Sequence, residues 1–241
     1  MKSYSEVFFH DDAAESGFVP ITGVPVISYR EVNQGWIHVI NQNQDNDFYI
    51  CGACGFAMRE NPVVVSPAHM KPWTSNATCS TTRLERRSLG YRYRTDVLEL
   101  RLPLDHLREL GSLGPDDSHS LWLSVMYALV NGACHALDID ERDLSGCLYY
   151  SQKYHPSLVL FDTAPGGAGF VHEVREHFRE VISEALKRLD CNSCGDDSSC
   201  IACLRNYFNQ RDHNRLRRGW ARNYLGALMS EPELAQQITA F

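Results

Sequence analysis

The spacing C-x2-C-x5-C-x2-C, from Cys191 to Cys203 within CNSCGDDSSCIAC, limits the folds open to this chain more than any other feature. Each C-x2-C pair turns two thiols toward one point, and the GDDSS between the pairs is built of turn formers that let them face each other. Four thiolates around one ion are a closed tetrahedral zinc site with no position left for water or substrate. Such a site holds a fold together and does no chemistry. Unliganded thiols or an iron–sulfur cluster are the alternatives.

A second group stands in the N-terminal third. Cys51 and Cys54 lie in CGACG, whose glycines permit a knuckle turn, and Cys79 follows with His69 between. Three thiolates and one imidazole would staple the segment 52–88, which is rich in Pro, Ser, Thr and Asn and has no helical period. The bland alternative is a metal-free pair with His69 on a loop. Seven of the nine cysteines fall in these two groups, and Cys134 and Cys147 stand among apolar neighbours as buried thiols. An odd total argues against a disulfide framework.

The remaining patterns describe a mixed α+β core. Strands are expected at 35–42, 47–51, 91–103, 146–151 and 157–163, and helices at 116–140 and between 168 and 189. The first 30 residues read as an arm or irregular cap. We divide the chain into an N-terminal region with the knuckle, 1–88, and an α/β domain, 89–241, whose four-cysteine helical module spans 190–229. Hydrophobic residues make up 44%, enough for a core, and no apolar run approaches the roughly 20 residues of a membrane span. The N-terminus has no signal-peptide pattern, so a cytoplasmic protein with no membrane partner is expected.

Charge is unevenly spread. The formal net charge is −7, yet residues 204–228 carry six arginines against one aspartate, a local +5 that leaves −12 for the remainder. Arg215, Arg218 and Arg222 would share one face of a helix running on from Cys203, able to meet phosphates or an acidic partner. Arg205 and Arg211 belong to the same basic stretch. The alternative is that these arginines are solvated or pair with the acids of the body. The loop in LVLFDTAPGGAGFVHEV joins a strand to a helix, and amides there can cradle phosphate; the alternative is a tight connection that needs glycine for packing. It has no GK[ST] and no G-x-G-x-x-G, so nucleotide hydrolysis has no support, and no small-molecule substrate is expected. Asp96 and Glu99 beside Arg101 are a faint nuclease pattern, but strand residues three apart point to opposite faces. No catalytic residue is assigned.

The helix SLWLSVMYALVNGACHALDIDERDLSG, the loop FDTAPGGAGF, the four cysteines and NQRDHNRL stand in an order that resembles the zinc-binding domain of the mitomycin repair helicase family, the MZB domain. The resemblance covers roughly residues 90–228. CGACG and TDVLEL look similar to the segment that precedes this domain in helicase-partner proteins, such as one subunit of the DISARM antiphage system. It implies zinc at Cys191, Cys194, Cys200 and Cys203, and a structural or DNA-facing role for Asp162, Gly166, Gly167, Gly169, Asn209 and His213. It implies a superfamily 2 helicase and DNA as partners, in antiphage defence or DNA repair. Unlike the full helicases, these 241 residues contain no Walker motif, so ATP hydrolysis is expected elsewhere. A protein scaffold that never touches DNA, or a metal-dependent nuclease, are the rival functions.

Overall fold

In the computed structural model the described residues are 4–10, 17–42, 48–58, 68–74, 76–81, 84–103, 114–152 and 155–230. They form two compact units. The larger comprises 8–37 and 93–241, the smaller 1–7 and 38–92. The fold is mixed α+β, as the sequence patterns predict.

The main sheet has the order β1-β3-β9-β11-β10, with β2 paired to β3. Its strands are β1 (Tyr4–His10), β2 (Val19–Ile21), β3 (Val24–Gln42), β9 (Leu89–Arg101), β10 (Leu144–Gln152) and β11 (His155–Asp162). Strand β11 runs antiparallel to β10, with Val159 opposite Cys147, and to β9, with Leu160 opposite Leu98. Period 2 then divides the side chains. Leu98, Leu100, Leu158 and Leu160 join the helices in one core, whereas Val97, Val159 and Phe161 are buried outside that cluster. The sheet curls until its outermost strands bring Phe9 edge-on to Tyr149, at 5.4 Å between ring centroids.

The region expected as an irregular cap thus contains two strands and the start of a third. Strand β2 pairs with β3 close by, whereas β1 skips β2 to pair with β3 and β3 itself pairs with β9 far along the chain, so no single local pattern marks the region. Gln34 sits in β3 at φ 61. This is a bulge that reverses the alternation. Ile27 faces the helices, but a side chain on Gly35, eight residues on, would stand 2.9 Å from Val97 and 3.1 Å from Phe9 on the other side.

Helix α1 (Pro115–Ala136) is buried nearly all round between Ser120 and Cys134. It contacts β10 and β11 and also α3 (Phe178–Leu189) and α4 (Arg218–Ser230). Gly132 makes the α1–α3 crossing possible, because a methyl group there would come within 2.5 Å of the Val181 carbonyl oxygen. Helices α2 (Phe170–Glu176) and α3 form one expected helix interrupted at His177. The His177 N–H still bonds the Glu173 carbonyl and the Val181 N–H the His177 carbonyl, so two hydrogen bonds link the helices across the step. Cys134 and Cys147 are buried thiols, and burial pushes each up to about 12.

In the smaller unit, β4 (Phe48–Ile50) pairs with β5 (Ala57–Met58) and β8 (Glu85–Arg87), and β6 (His69–Met70) with β7 (Thr78–Cys79). Asp47, first residue of the strand expected at 47–51, lies outside the described residues. Among the described residues, no helix is long and apolar enough to cross a membrane.

Candidate functional site

The C-terminal cysteine group follows directly from the end of α3. Leu189 is fully buried, Asp190 closes the helix, and the chain turns through Cys191 and Cys194 and returns through Cys200 and Cys203. All four sulfurs lie within 4.8 Å of one another. Zinc about 2.3 Å from each of four sulfurs would set them about 3.8 Å apart on the edges of a tetrahedron. The separations are 3.5 Å for Cys191–Cys200, 3.7 Å for Cys194–Cys203 and 3.8 Å for Cys200–Cys203. Backbone N–H groups of Ser193 and Cys200 point at the sulfurs of Cys191 and Cys203. The Ser193 N–H holds Cys191 down near 7, whereas burial pushes Cys203 up to about 12 and raises Cys194. Four adjacent thiolates therefore need a cation to stand together, and zinc supplies it.

The arginines that follow turn inward to this loop. Arg218 is buried; its Nη1 donates to the Leu189 carbonyl at 2.8 Å, and its Nη2 bonds the Asp196 carboxylate. Its own N–H donates to the Ser198 carbonyl, and the Gly219 N–H to that of Asp196. Arg222 reaches the other oxygen of Asp196 at 3.0 Å. Arg205 bonds Ser199 Oγ and the His213 carbonyl. From the opposite side, Asn131 on α1 donates to the Cys203 carbonyl at 3.1 Å. The zinc loop is thus clamped between α1, the end of α3 and the start of α4.

Two expectations change here. The helix does not run on from Cys203: residues 204–217 form turns and one 3-10 turn at Gln210–Asp212, and α4 begins at Arg218. Asparagine side chains replace the helical bonds. Asn206 Oδ1 accepts from the N–H groups of Phe208 and Asn209, and Asn209 Oδ1 from that of Asn206. His213 Nε2 bonds Asn209 Oδ1 and the Asn206 carbonyl, so this imidazole locks the loop. Arg218 and Arg222 consequently share a face of α4 turned to Asp196, and Arg215 lies outside the helix. Arg215 is exposed, Arg211 stands 3.5 Å from Asp212, and Arg205, Arg218 and Arg222 are bound within the protein.

The glycine loop is likewise engaged. The carboxylate of Asp162, fully buried, accepts the N–H groups of Ala168 at 2.6 Å, Phe170 at 3.2 Å and Val171 at 3.1 Å. The amides that the sequence offered to a phosphate are taken by the chain's own anion. Gly166, Gly167 and Gly169 all have φ between 81 and 93. At Gly167 a side chain would also collide with Asp96, 2.0 Å from its Oδ2. The Gly166 N–H donates to the Arg94 carbonyl, and Gln34 donates to the Gly166 carbonyl at 2.8 Å. These glycines serve a tight connection. Glu99 is buried and paired with Arg30 at 2.5 Å, and no metal-holding group among the described residues includes it or Asp96.

In the smaller unit Cys51, Cys54, His69 and Cys79 converge within the same 4.8 Å. Cys51 and Cys79 are buried with sulfurs 3.9 Å apart, and Cys54 Sγ lies 3.2 Å from His69 Nε2. The knuckle is closed by Gly55 N–H to the Cys51 carbonyl and Cys51 N–H to that of Phe56. Phe56 stacks on the His69 ring at 4.5 Å and fixes its plane. N–H and hydroxyl groups of Thr81 bring Cys79 down to about 7, while burial raises Cys54. This donor set also fits a structural zinc.

Sequence reasoning did not find Asn131, Asp196 or Gln34, whose roles depend on partners far along the chain. The Asx-rich GDDSS hinted at Asp196, since a carboxylate beside a cationic helix start is a natural clamp.

Residues 125–204, which contain the four C-terminal cysteines, match the family model of the MrfA Zn-binding domain. Druantia protein DruE of Escherichia coli (strain UMEA 4076-1) is 27% identical over 199 residues, covering 74% of this chain and 10% of that protein. A solved structure of the DUF1998 helicase MrfA bound to DNA shares the fold, with a TM-score of 0.52 at 13% identity over 94% of this chain and 24% of the helicase. The chain therefore spans about a tenth of the curated relative and a quarter of the helicase that it matches. Over residues 125–204, then, this chain is similar to the MrfA Zn-binding domain.

Proposed function

We propose that this chain is a non-catalytic zinc-binding part of a superfamily 2 DNA helicase or translocase assembly in the cytoplasm. The observation that carries the reading is the clamped zinc loop. Asn131, Arg218 and Asp196 tie the four-cysteine loop to α1, the end of α3 and α4, in a sequence without a Walker motif. Such a module positions a motor or its DNA and does not drive it. The match to a helicase solved with DNA supports the partner class, and the DruE relative supports antiphage defence ahead of DNA repair as the setting. In the basic stretch the exposed Arg215 is the contact proposed for DNA.

A nuclease-treated pull-down of the tagged chain from its host, followed by mass spectrometry, tests this. Recovery of a superfamily 2 ATPase is expected, and its DNA-stimulated hydrolysis should change when this chain is omitted. Consistent recovery of other proteins without an ATPase sinks the reading. That result would favour a protein scaffold, a role suited to the inward-turned arginines.

A further inference from the structure

Trp73 is 88% exposed, the most exposed of the large apolar side chains. Tryptophan seldom stands in water without a partner to meet. Its place is not accidental. It lies in the connection of the β6–β7 hairpin, whose paired residues His69 and Cys79 are both metal ligands of the small unit. Lys71 N–H bonds the Ala77 carbonyl at 2.9 Å and tightens the tip. A metal held by this ligand set would therefore lie at the base of the hairpin whose connection carries the exposed indole.

The surroundings are cationic. From Lys71 to Arg92, within the smaller unit, the sequence has one lysine and four arginines against Glu85 alone, +5 − 1 = +4 in a chain of net −7. A zinc ion on three thiolates and one neutral imidazole contributes −1, which leaves the region positive. The knuckle turn ties the tip to the basic strand: a side chain on Gly55 would lie 3.9 Å from the Trp73 indole nitrogen, and one on Gly52 3.6 Å from Glu85 on β8. Arg86 and Arg87 follow on β8, and both are exposed, as is Lys71. Arg87 pairs directly with Glu85 at 2.6 Å, but both side chains are exposed, and a phosphate can replace such a surface pair.

We propose that this hairpin tip is a base-stacking platform for single-stranded DNA, with Trp73 against a base and Lys71, Arg86 and Arg87 against the flanking phosphates. An exposed aromatic in a stretch rich in exposed cations suits a flexible polyanion with accessible base faces. In a duplex those faces are stacked away. The inference rests on the DNA partner proposed above, but places contact in the smaller unit, outside the matched zinc-binding domain.

The test is a titration of fluorescein-labelled oligothymidylate with the full zinc-loaded chain, followed by anisotropy. Trp73→Ala should weaken binding about ten-fold and Trp73→Phe much less, since stacking survives in a phenyl ring. Lys71→Ala with Arg86→Ala and Arg87→Ala should flatten the salt dependence by about two units of slope. Zinc content and circular dichroism must match the wild type in each variant; the exposure of all four side chains makes that the expected result. Wild-type protein that binds no oligonucleotide, or Trp73→Ala binding that stays within about two-fold, overturns the proposal. So does a Trp73→Ala chain that keeps oligonucleotide affinity but no longer recovers its protein partners, because the tip is then a protein contact. Failure to recover an ATPase would remove the helicase reading and leave the stacking result standing.

Discussion

The two cysteine groups have nearly the same ligand geometry and opposite support. Around the C-terminal group, Asn131, Arg218, Asp196 and the buried ends of α3 and α4 would keep the loop in place for many of its bonds without the ion. Around the N-terminal group the strands are two or three residues long, and the ligands Cys51, His69 and Cys79 are three of its few buried side chains. The same ion is therefore a rivet in a finished wall at one end and most of the wall at the other. Metal removal should separate them. Chelation is expected to unfold the smaller unit outright, since structural zinc supplies roughly 10 kcal/mol or more to a module without its own core. In the larger unit it should loosen residues 190–205 and leave α1 and β11 protected. Hydrogen exchange with and without chelator reads both regions at once, and equal loss in the two would break the comparison.

A third loop holds its shape without metal. At 163–169 the Asp162 carboxylate gathers three amides much as the ions gather thiolates, and Thr95 Oγ1 binds the Asp162 and Ala164 carbonyls from the neighbouring strand. Asp162→Ala strands those amides in a buried site and should cost about 3 kcal/mol in urea unfolding. The difference between this variant and the wild type should be the same with and without chelator, because the loop holds no metal. A smaller effect is expected at Arg218. Its replacement by Ala leaves the Leu189 carbonyl unpaired and should cost about 2 kcal/mol. Arg215→Ala, at an exposed site, should stay within about 0.5 kcal/mol. Equal costs for the two arginines would mean that the inward turn of Arg218 does not clamp the zinc loop.

The ligand sets were legible in the sequence because their spacing is local: C-x2-C can be read without knowing the fold. Helices α1 and α3 and strands β9 and β11 were legible through their periods. What failed was long-range. The pairing of β1 to β3, and Gln34 as a bulge, depend on residues far away, and a three-residue strand such as Val19–Ile21 carries almost no pattern. The arginines failed for a different reason. A run of positive charge reports composition, but Arg218 points inward because Asp196 and the end of α3 are waiting there, and spacing does not record that. The glycine loop was half legible: its glycines were plain, but the anion at the helix start belonged to the chain.

The thiols outside the zinc groups sharpen the comparison further, with the smallest effect. Cys147 is buried on β10, and its sulfur hydrogen-bonds the backbone of Phe9 on the opposite outer strand. Burial pushes its thiol up to about 12, above the roughly 8.5 of an unfolded cysteine. A folded value raised above the unfolded one means that the native state keeps a proton which the unfolded chain gives up. The stabilisation is complete below about pH 8.5 and is lost as pH rises toward 12, at about 1.4 kcal/mol per pH unit for one thiol. The zinc thiolates carry the opposite sign, because protons compete with the metal and acid releases it. Urea midpoints should therefore fall on both sides of neutrality for separate reasons. Cys147→Ser keeps a hydrogen-bonding group of similar size that does not titrate in this range, so it should flatten the alkaline limb by one thiol's share and leave the acid limb unchanged. An alkaline limb that keeps its slope in this variant would place the loss in Cys134, in the half-buried Tyr127 or in the buried Tyr224, whose hydroxyls burial also raises.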